Sequence, residues 1–369
     1  MKILQSNPGA NYRAHMQAID AAVKEVMSGG WYILGKQVAA FEEEFASFLG
    51  AGHAVGVASG TDAVALALRG LDIGPGDEVI TVSHTAVATV AAIELIGATP
   101  VLADIDADTF TIDPATVEQL ITNRTKAVIA VHLYGRPADL APLLSLTSSK
   151  GIHLVEDCAQ CHGAYWNGRR TGTWGVISSF SFYPTKNLGA IGDGGAVVTN
   201  DPAIATKLKQ LREYGWAQRY ISDMQGMNSR LDELQAAILR VKLRSLDDEN
   251  ERRRRIASVY DRTLASSGLL LPGVAPNGST HVYHQYVVRS SNRDTLKTQL
   301  AERGIGTLIH YPVPIHMQPA YKGRVRCAPS MQNTERVARE ILSLPVYPEL
   351  EDNEVQFIGD AVKQVATGT

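Results

Sequence analysis

From Ala54 to Thr199 the chain alternates short apolar, β-branched runs with stretches of helical periodicity, and this alternation constrains the fold more than any other feature. Residues 54–57, 78–82, 99–103, 127–131 and 152–155 read as buried strands, and 60–69, 86–96, 114–121 and 140–149 as the helices between them. Asp113-Pro114 offers a capping carboxylate and a proline for the first turn, a device that Asp201-Pro202 repeats ahead of 203–212. Strands separated by crossover helices imply a mostly parallel sheet covered on both faces, hence an α/β fold.

The pattern changes near Arg230. A long helical stretch is predicted from about Leu231 to Ala265, with apolar positions at Leu234, Ala237, Ile238, Val241 and Leu246. The Pro- and Gly-containing segment 271–279 then punctuates the chain, and a strand over 281–288, a helix over 293–303 and a helical C-terminal end follow. A chain of 369 residues has room for a large domain, expected over 1–250, and a smaller α+β domain over 251–369.

A formal net charge of −3 gives no global basic field for nucleic acid, and Arg252-Arg253-Arg254-Arg255 reads as a solvated helix face beside Asp247-Asp248-Glu249. The first eight residues are too short and polar for a signal peptide, and no apolar run approaches the roughly 18 residues of a membrane span. Three cysteines cannot close a disulfide framework, so a reducing cytoplasm is expected.

Three segments carry chemistry. Residues 176–183 look like a strand that ends at Pro184-Thr185-Lys186-Asn187-Leu188-Gly189, where proline and the glycines that follow keep the backbone out of helix and open to a ligand. Desolvation there would free the Lys186 amine as a nucleophile, although alone it reads as an ordinary surface lysine. Asp157 ends a buried-looking strand, where open α/β sheets place ligand contacts; it could bond the pyridine nitrogen of pyridoxal phosphate (PLP) or simply cap the next helix. Ala58-Ser59-Gly60-Thr61-Asp62 opens a helix whose free N–H groups suit a phosphate, and the same residues make a plain N-cap. Cys158-Ala159-Gln160-Cys161-His162 fits a haem-attachment or redox pattern, but its usual context is missing and no four ligands stand at structural-zinc spacing, so no metal is expected.

Together these segments resemble the sugar aminotransferases of the DegT/DnrJ/EryC1/StrS family, from Gly30-Trp31-Tyr32-Ile33-Leu34-Gly35 to Leu344-Pro345-Val346-Tyr347-Pro348. The most specific stretch runs from Ser179 to Gly189 and continues at Gly192-Asp193-Gly194-Gly195. The resemblance implies an aspartate aminotransferase-like fold (PLP fold type I), with a mostly parallel mixed sheet in the large domain and a smaller C-terminal α+β domain. It implies that Lys186 forms the Schiff base with PLP and later carries the proton, that Asp157 pairs with the ring nitrogen and that Gln160 contacts the ring hydroxyl. Gly60, Thr61 and Ser181 would hold the phosphate. Gly226-Met227-Asn228-Ser229-Arg230 matches the segment that sends Asn228 to the neighbouring subunit's phosphate, which implies a homodimer with shared sites; Arg230 lies nearby or forms a structural ion pair.

Two departures stand out. Where many members stack an aromatic on the ring, this chain has Ser83-His84-Thr85-Ala86, so His84 is expected to stack instead. The family's two alanines appear as Cys158 and Cys161, which read as packing residues. The implied reaction moves an amino group from L-glutamate to a nucleotide-linked keto-sugar in two halves. Leu308 to Tyr321 looks most like members that aminate C3 of dTDP-3-keto-6-deoxyhexoses, with Tyr183, His310 and Tyr311 lining the sugar site, Arg230 close by and His316 a further candidate. The alternatives are a 4-keto-sugar or UDP-3-keto-sugar aminotransferase. A PLP-dependent sugar dehydratase would carry histidine in place of Lys186, and a non-enzymatic regulator would lose the lysine or append a DNA-binding element.

Overall fold

The computed structural model describes residues 2–368. Among them, a central sheet of eight strands comprises β1 (His53–Val57), β2 (Glu78–Val82), β3 (Thr99–Ala103), β4 (Thr125–Val131), β5 (His153–Asp157), β6 (Ile177–Ser181), β7 (Gly195–Thr199) and β8 (Arg326–Cys327), in the spatial order β1-β7-β6-β5-β4-β2-β3-β8. Pairing is parallel from β6 across to β8, whereas β7 runs antiparallel to both β6 and β1. The expected strands and crossover helices are therefore present, within a residue or two of their expected ends. Helices Gly60–Gly70, Val87–Leu95, Pro114–Leu120 and Leu140–Lys150 connect them. Asp113 and Asp201 cap as anticipated, accepting hydrogen bonds from Ala115 and Ala203 N–H.

This topology brings three chain segments to one edge of the sheet. Strands β5 and β6 are parallel, with Asp157 opposite Ser179, so the Asp157 end of β5 and the chain leaving Ser181 emerge side by side. Because β1 is antiparallel to β7 and β7 to β6, the carboxyl end of β1, leading into Gly60, lies at the same edge. Phe180 and Phe182 fix the exit of β6: they meet Phe45 and Phe41 of helix Lys36–Leu49 edge-on at 5.0 and 5.3 Å. Each such pair contributes about 0.5–1.5 kcal/mol beyond area burial.

Two expectations differ from the structure. The long helix splits into Glu233–Leu243 and Leu246–Leu264, because Asp247, Asp248 and Glu249 form an acidic first turn that favours a new N-terminus. The strand expected over 281–288 starts only at Tyr286, since Val282 and Gln285 donate their N–H groups to Gly135 and Tyr134 carbonyls instead. Tyr286–Arg289 then pairs antiparallel with Ile341–Leu344. A core separate from the sheet gathers Ile256, Tyr260, Tyr286, Leu300, Leu342 and Ile358, and Ile3 joins it from the other end of the chain. Among the described residues, no helix is long and apolar enough to cross a membrane.

Candidate active site

Asp157 is buried at the end of β5, and both its oxygens are held: Oδ2 accepts from Thr89 Oγ1 at 2.9 Å, Oδ1 from Ala159 N–H at 3.1 Å. One residue back, the buried Glu156 accepts from the N–H groups of Gly172, Trp174 and Gly175 at 2.7–2.8 Å and from His132 Nε2 at 3.0 Å. Burial alone would raise the Glu156 pKa, but His132 and these N–H groups outweigh it and hold the carboxyl ionised. The end of β5 is therefore anchored before any ligand arrives.

Lys186 sits beyond β6 in a turn closed by its own N–H to Tyr183 O at 2.8 Å. It is half-buried, and Nζ has no hydrogen bond or ion pair with a described residue. Burial pushes its pKa down to about 8, with Asp157 and Cys161 pulling the other way. About 9% of the amine is thus neutral at pH 7, far more than an exposed lysine supplies.

Ser59 caps helix Gly60–Gly70, its Oγ accepting from Asp62 N–H at 3.1 Å. A Cβ added at Gly60 would lie 2.5 Å from Ser181 Cβ, so Gly60 and Ser181 touch across the sheet edge and only glycine fits. Thr61 N–H, in the first turn, faces outward with the helix dipole. Ser229, absent from the expectations, braces this corner by accepting from Ala58 N–H at 3.1 Å and donating to Asp62 at 2.7 Å.

His84 is buried beside Phe110 and Tyr134, and burial pushes its pKa down to about 4. Its Nε2 lies 2.8 Å from Tyr134 Oη, while Nδ1 is buried without a partner. Gln160 accepts from Tyr134 N–H at 2.7 Å and donates one of its two amide protons to Tyr311 Oη at 3.1 Å, leaving the other free. Burial lifts Tyr311 to about 12. His310 is half-buried, with Nδ1 2.8 Å from Ser343 Oγ; burial and then the Lys186 charge push it down to about 4. Tyr183 is exposed on the turn that carries Lys186.

These features fit pyridoxal phosphate: an unpartnered, partly neutral lysine, a fixed carboxylate, an N–H-rich glycine corner and an orphaned ring nitrogen share one sheet edge. Three residues stand apart within the chain. Asn228 is exposed on the surface. Arg230 lies 3.9 Å from Glu213 and faces the Tyr214 ring, the ion-pair alternative. His316 has Nδ1 2.7 Å from Ser83 Oγ and Nε2 3.5 Å from Glu335, so both ring nitrogens are engaged away from Lys186. A small cavity beside Lys186 is lined in part by Gln5, Glu249, Arg253 and His284.

Cys158 and Cys161 are fully buried and pack with Phe180 and Ala164. With His132 they bring three possible metal ligands within 4.8 Å, but His132 already uses Nε2 on Glu156 and accepts Ala138 N–H at Nδ1. Sequence reasoning missed Thr89 and Tyr134. Thr89 stands one turn after Thr85 on a helix facing β5, a spacing that could have drawn attention to it. Nothing local marks Tyr134, whose partners lie 26 to 176 residues away.

Comparison with known proteins places these residues in context. Residues 14–363 match the DegT/DnrJ/EryC1/StrS aminotransferase family. The chain is 49% identical over 358 residues to a dTDP-3-amino-3,4,6-trideoxy-alpha-D-glucose transaminase of Streptomyces venezuelae, covering 97% of this chain and 94% of that one. It is 46% identical over 350 residues to a dTDP-3-amino-3,6-dideoxy-alpha-D-galactopyranose transaminase of Aneurinibacillus thermoaerophilus, covering 95% and 96%. The crystal structure of S. venezuelae DesV in complex with a ketimine intermediate superposes with a TM-score of 0.96 at 48% identity, over 99% of this chain and 98% of that one.

Proposed function

The chain belongs to the DegT/DnrJ/EryC1/StrS aminotransferase family, and from that premise we propose that it moves the amino group of L-glutamate to C3 of a dTDP-linked 3-keto-6-deoxyhexose. It is a PLP-dependent aminotransferase acting on a nucleotide sugar. The observation that carries the assignment of roles is the unpartnered Lys186 amine, pushed to about 8, at the edge where the fixed Asp157 carboxylate emerges. Similarity to two relatives named for 3-amino dTDP-sugars supports the position and nucleotide.

What the bound cofactor supplies is a carbonyl that carries the amino group between two substrates and a ring that withdraws electrons. Lys186, in its neutral form, would hold the cofactor through Nζ, and the same atom could then take and return a proton. Asp157, its oxygens held by Thr89 and Ala159, would pair with the ring nitrogen and favour its protonated form. The N–H groups at Gly60 and Thr61, with Ser181, bind phosphate. Gln160 has one free amide proton to offer the ring hydroxyl, and His84 would cover one ring face.

On the sugar side, Tyr183, His310 and Tyr311 offer hydroxyl and imidazole groups that can donate or accept. His316 supports that wall by pinning Ser83. Asn228, exposed here, would reach the phosphate of a second copy, with Arg230 beside it, in a homodimer. The exposed run Trp31-Tyr32-Ile33 supports such an interface. We take residues 1–250 as the cofactor domain and 251–369 as the small domain; the separate core around Tyr260 supports a second unit, while helix Leu246–Leu264 spans that boundary and β8 returns to the central sheet. The paired free thiols of Cys158 and Cys161 suit a reducing cytoplasm.

Product analysis with dTDP-4-keto-6-deoxyglucose and L-glutamate, with and without a 3,4-ketoisomerase, tests the proposal. Amination only with the isomerase is the expected result, and the isomerase that works identifies the C4 configuration. Amination without it moves the nitrogen to C4, and no amination in either overturns the assignment of the nucleotide or the sugar.

A further inference from the structure

Tyr134 lies just past β4 with φ of 61°, in the left-handed region that costs a residue with a side chain. Its side chain is 2% exposed, and its ring meets Phe110 and His84 edge-on at 5.5 and 6.0 Å. Four hydrogen bonds hold it there. Its N–H donates to Gln160 Oε1 at 2.7 Å, and its carbonyl accepts from Gln285 N–H at 3.1 Å. Its hydroxyl donates to the His310 carbonyl and lies 2.8 Å from His84 Nε2.

The proton count at the hydroxyl is decisive. A phenol carries one proton, and a carbonyl can only accept, so that proton is committed to His310. Toward His84 the phenol oxygen must then accept, and Nε2 must carry the ring proton. Burial keeps the imidazole neutral, so Nδ1 is the bare nitrogen, and it is the buried atom without a partner.

We propose that Tyr134 is a positioning residue for amino transfer: its hydroxyl locks His84 in the Nε2-protonated tautomer and holds the His310 backbone, tying the sugar-side segment to the cofactor face. The proposal rests on the reading of His84 as ring-facing and His310 as sugar-side. One atom sets both positions, so the His310-Tyr311 segment is registered against the ring, while Gln160 links Tyr134 N–H to the Tyr311 hydroxyl.

Nitrogen NMR of histidine-labelled holoenzyme reads the tautomer directly. His84 is expected with Nε2 protonated at pH 7.5, and a mixture is expected in Tyr134→Phe; a wild-type signal with Nδ1 protonated overturns the proposal. Single-turnover kinetics of Tyr134→Phe supply a second readout, because this change removes one oxygen and leaves the ring and backbone bonds. The sugar half-reaction should show KM raised about tenfold, and the glutamate half-reaction should stay within about threefold. Equal losses in both halves, or none in either, overturn it. Unchanged rates in His84→Ala remove the premise instead, and with it the proposal.

Discussion

The two sides of the pocket are built to different standards. Toward the cofactor, Asp157 and Glu156 are buried at a strand end and every carboxylate oxygen is held by an N–H, a hydroxyl or an imidazole. On the side proposed for the sugar, Tyr183 is exposed, His310 is half-buried, and His310 and Tyr311 belong to a segment between Leu308 and Ile315 that lies outside the sheet. Buried polar atoms must be satisfied, so the Asp157–Glu156 wall admits few alternatives; the exposed Tyr183 carries no such demand. On the proposed assignment, the rigid wall would serve the reaction class and the more adaptable one the substrate.

Changes on the rigid wall should therefore cost the most. Lys186→Ala is expected to lower turnover by a factor on the order of 10³ or more and to abolish the absorbance of the lysine–cofactor link, because it removes the amine proposed to attach the cofactor. A spectrum and a transamination assay decide it; unchanged transamination would overthrow the assignment. Asp157→Asn keeps the shape but loses the charge, and should cost roughly 10²-fold in kcat with a much smaller change in Tm. Near-normal turnover would remove Asp157 from the ring nitrogen and make the wall's rigidity a matter of folding alone.

This contrast also explains what the sequence made legible. The strands and helices at the sheet edge were readable because burial on both faces forces continuous apolar runs and capped starts, as at Asp113-Pro114. The resemblance singles out Lys186 and Asp157, and the β5–β6 register brings their segments side by side. Tyr134 and Thr89 were not legible, since each acts through a partner far away in sequence, Tyr134 on His310 and Thr89 on Asp157. The split at Arg244-Ser245 was legible in principle: the acidic triplet that follows marks a helix start, yet it was read only as a charged face. The strand expected at His281 failed because Tyr134 and Gly135 claim its hydrogen bonds, a tertiary effect that no local pattern carries.

The coupling between the two wall residues sets a third, intermediate effect. Lys186 with a pKa of about 8 should capture PLP into apoenzyme at a rate that rises about tenfold per unit below pH 8 and levels above it. The Asp157 charge raises that pKa, so Asp157→Asn should move the onset of the plateau to lower pH. The same shift bears on apoenzyme stability. Folded Lys186 binds fewer protons than the unfolded lysine between pH 8 and about 10.5, so its contribution rises with pH across that window and is lost as pH falls through it. Capture independent of pH from 6 to 9 would mean that the amine is not the group being titrated.

His316 offers the smallest effect and tests the adaptable wall from within. It lies on the sugar-side segment, yet Nδ1 is 2.7 Å from Ser83 Oγ, its own N–H donates to the same oxygen at 3.1 Å, and Nε2 faces Glu335. A histidine so engaged has no nitrogen left for a hydroxyl of the substrate. His316→Phe removes the side-chain bond and retains the backbone one, which should lower Tm by about 1–3 °C while the sugar KM changes by less than about threefold. A KM raised tenfold with Tm unchanged would show that His316 leaves Ser83 for the substrate. In that case the adaptable wall extends to Ser83 itself, one residue from His84, and the boundary between the two walls would run through the ring-facing histidine.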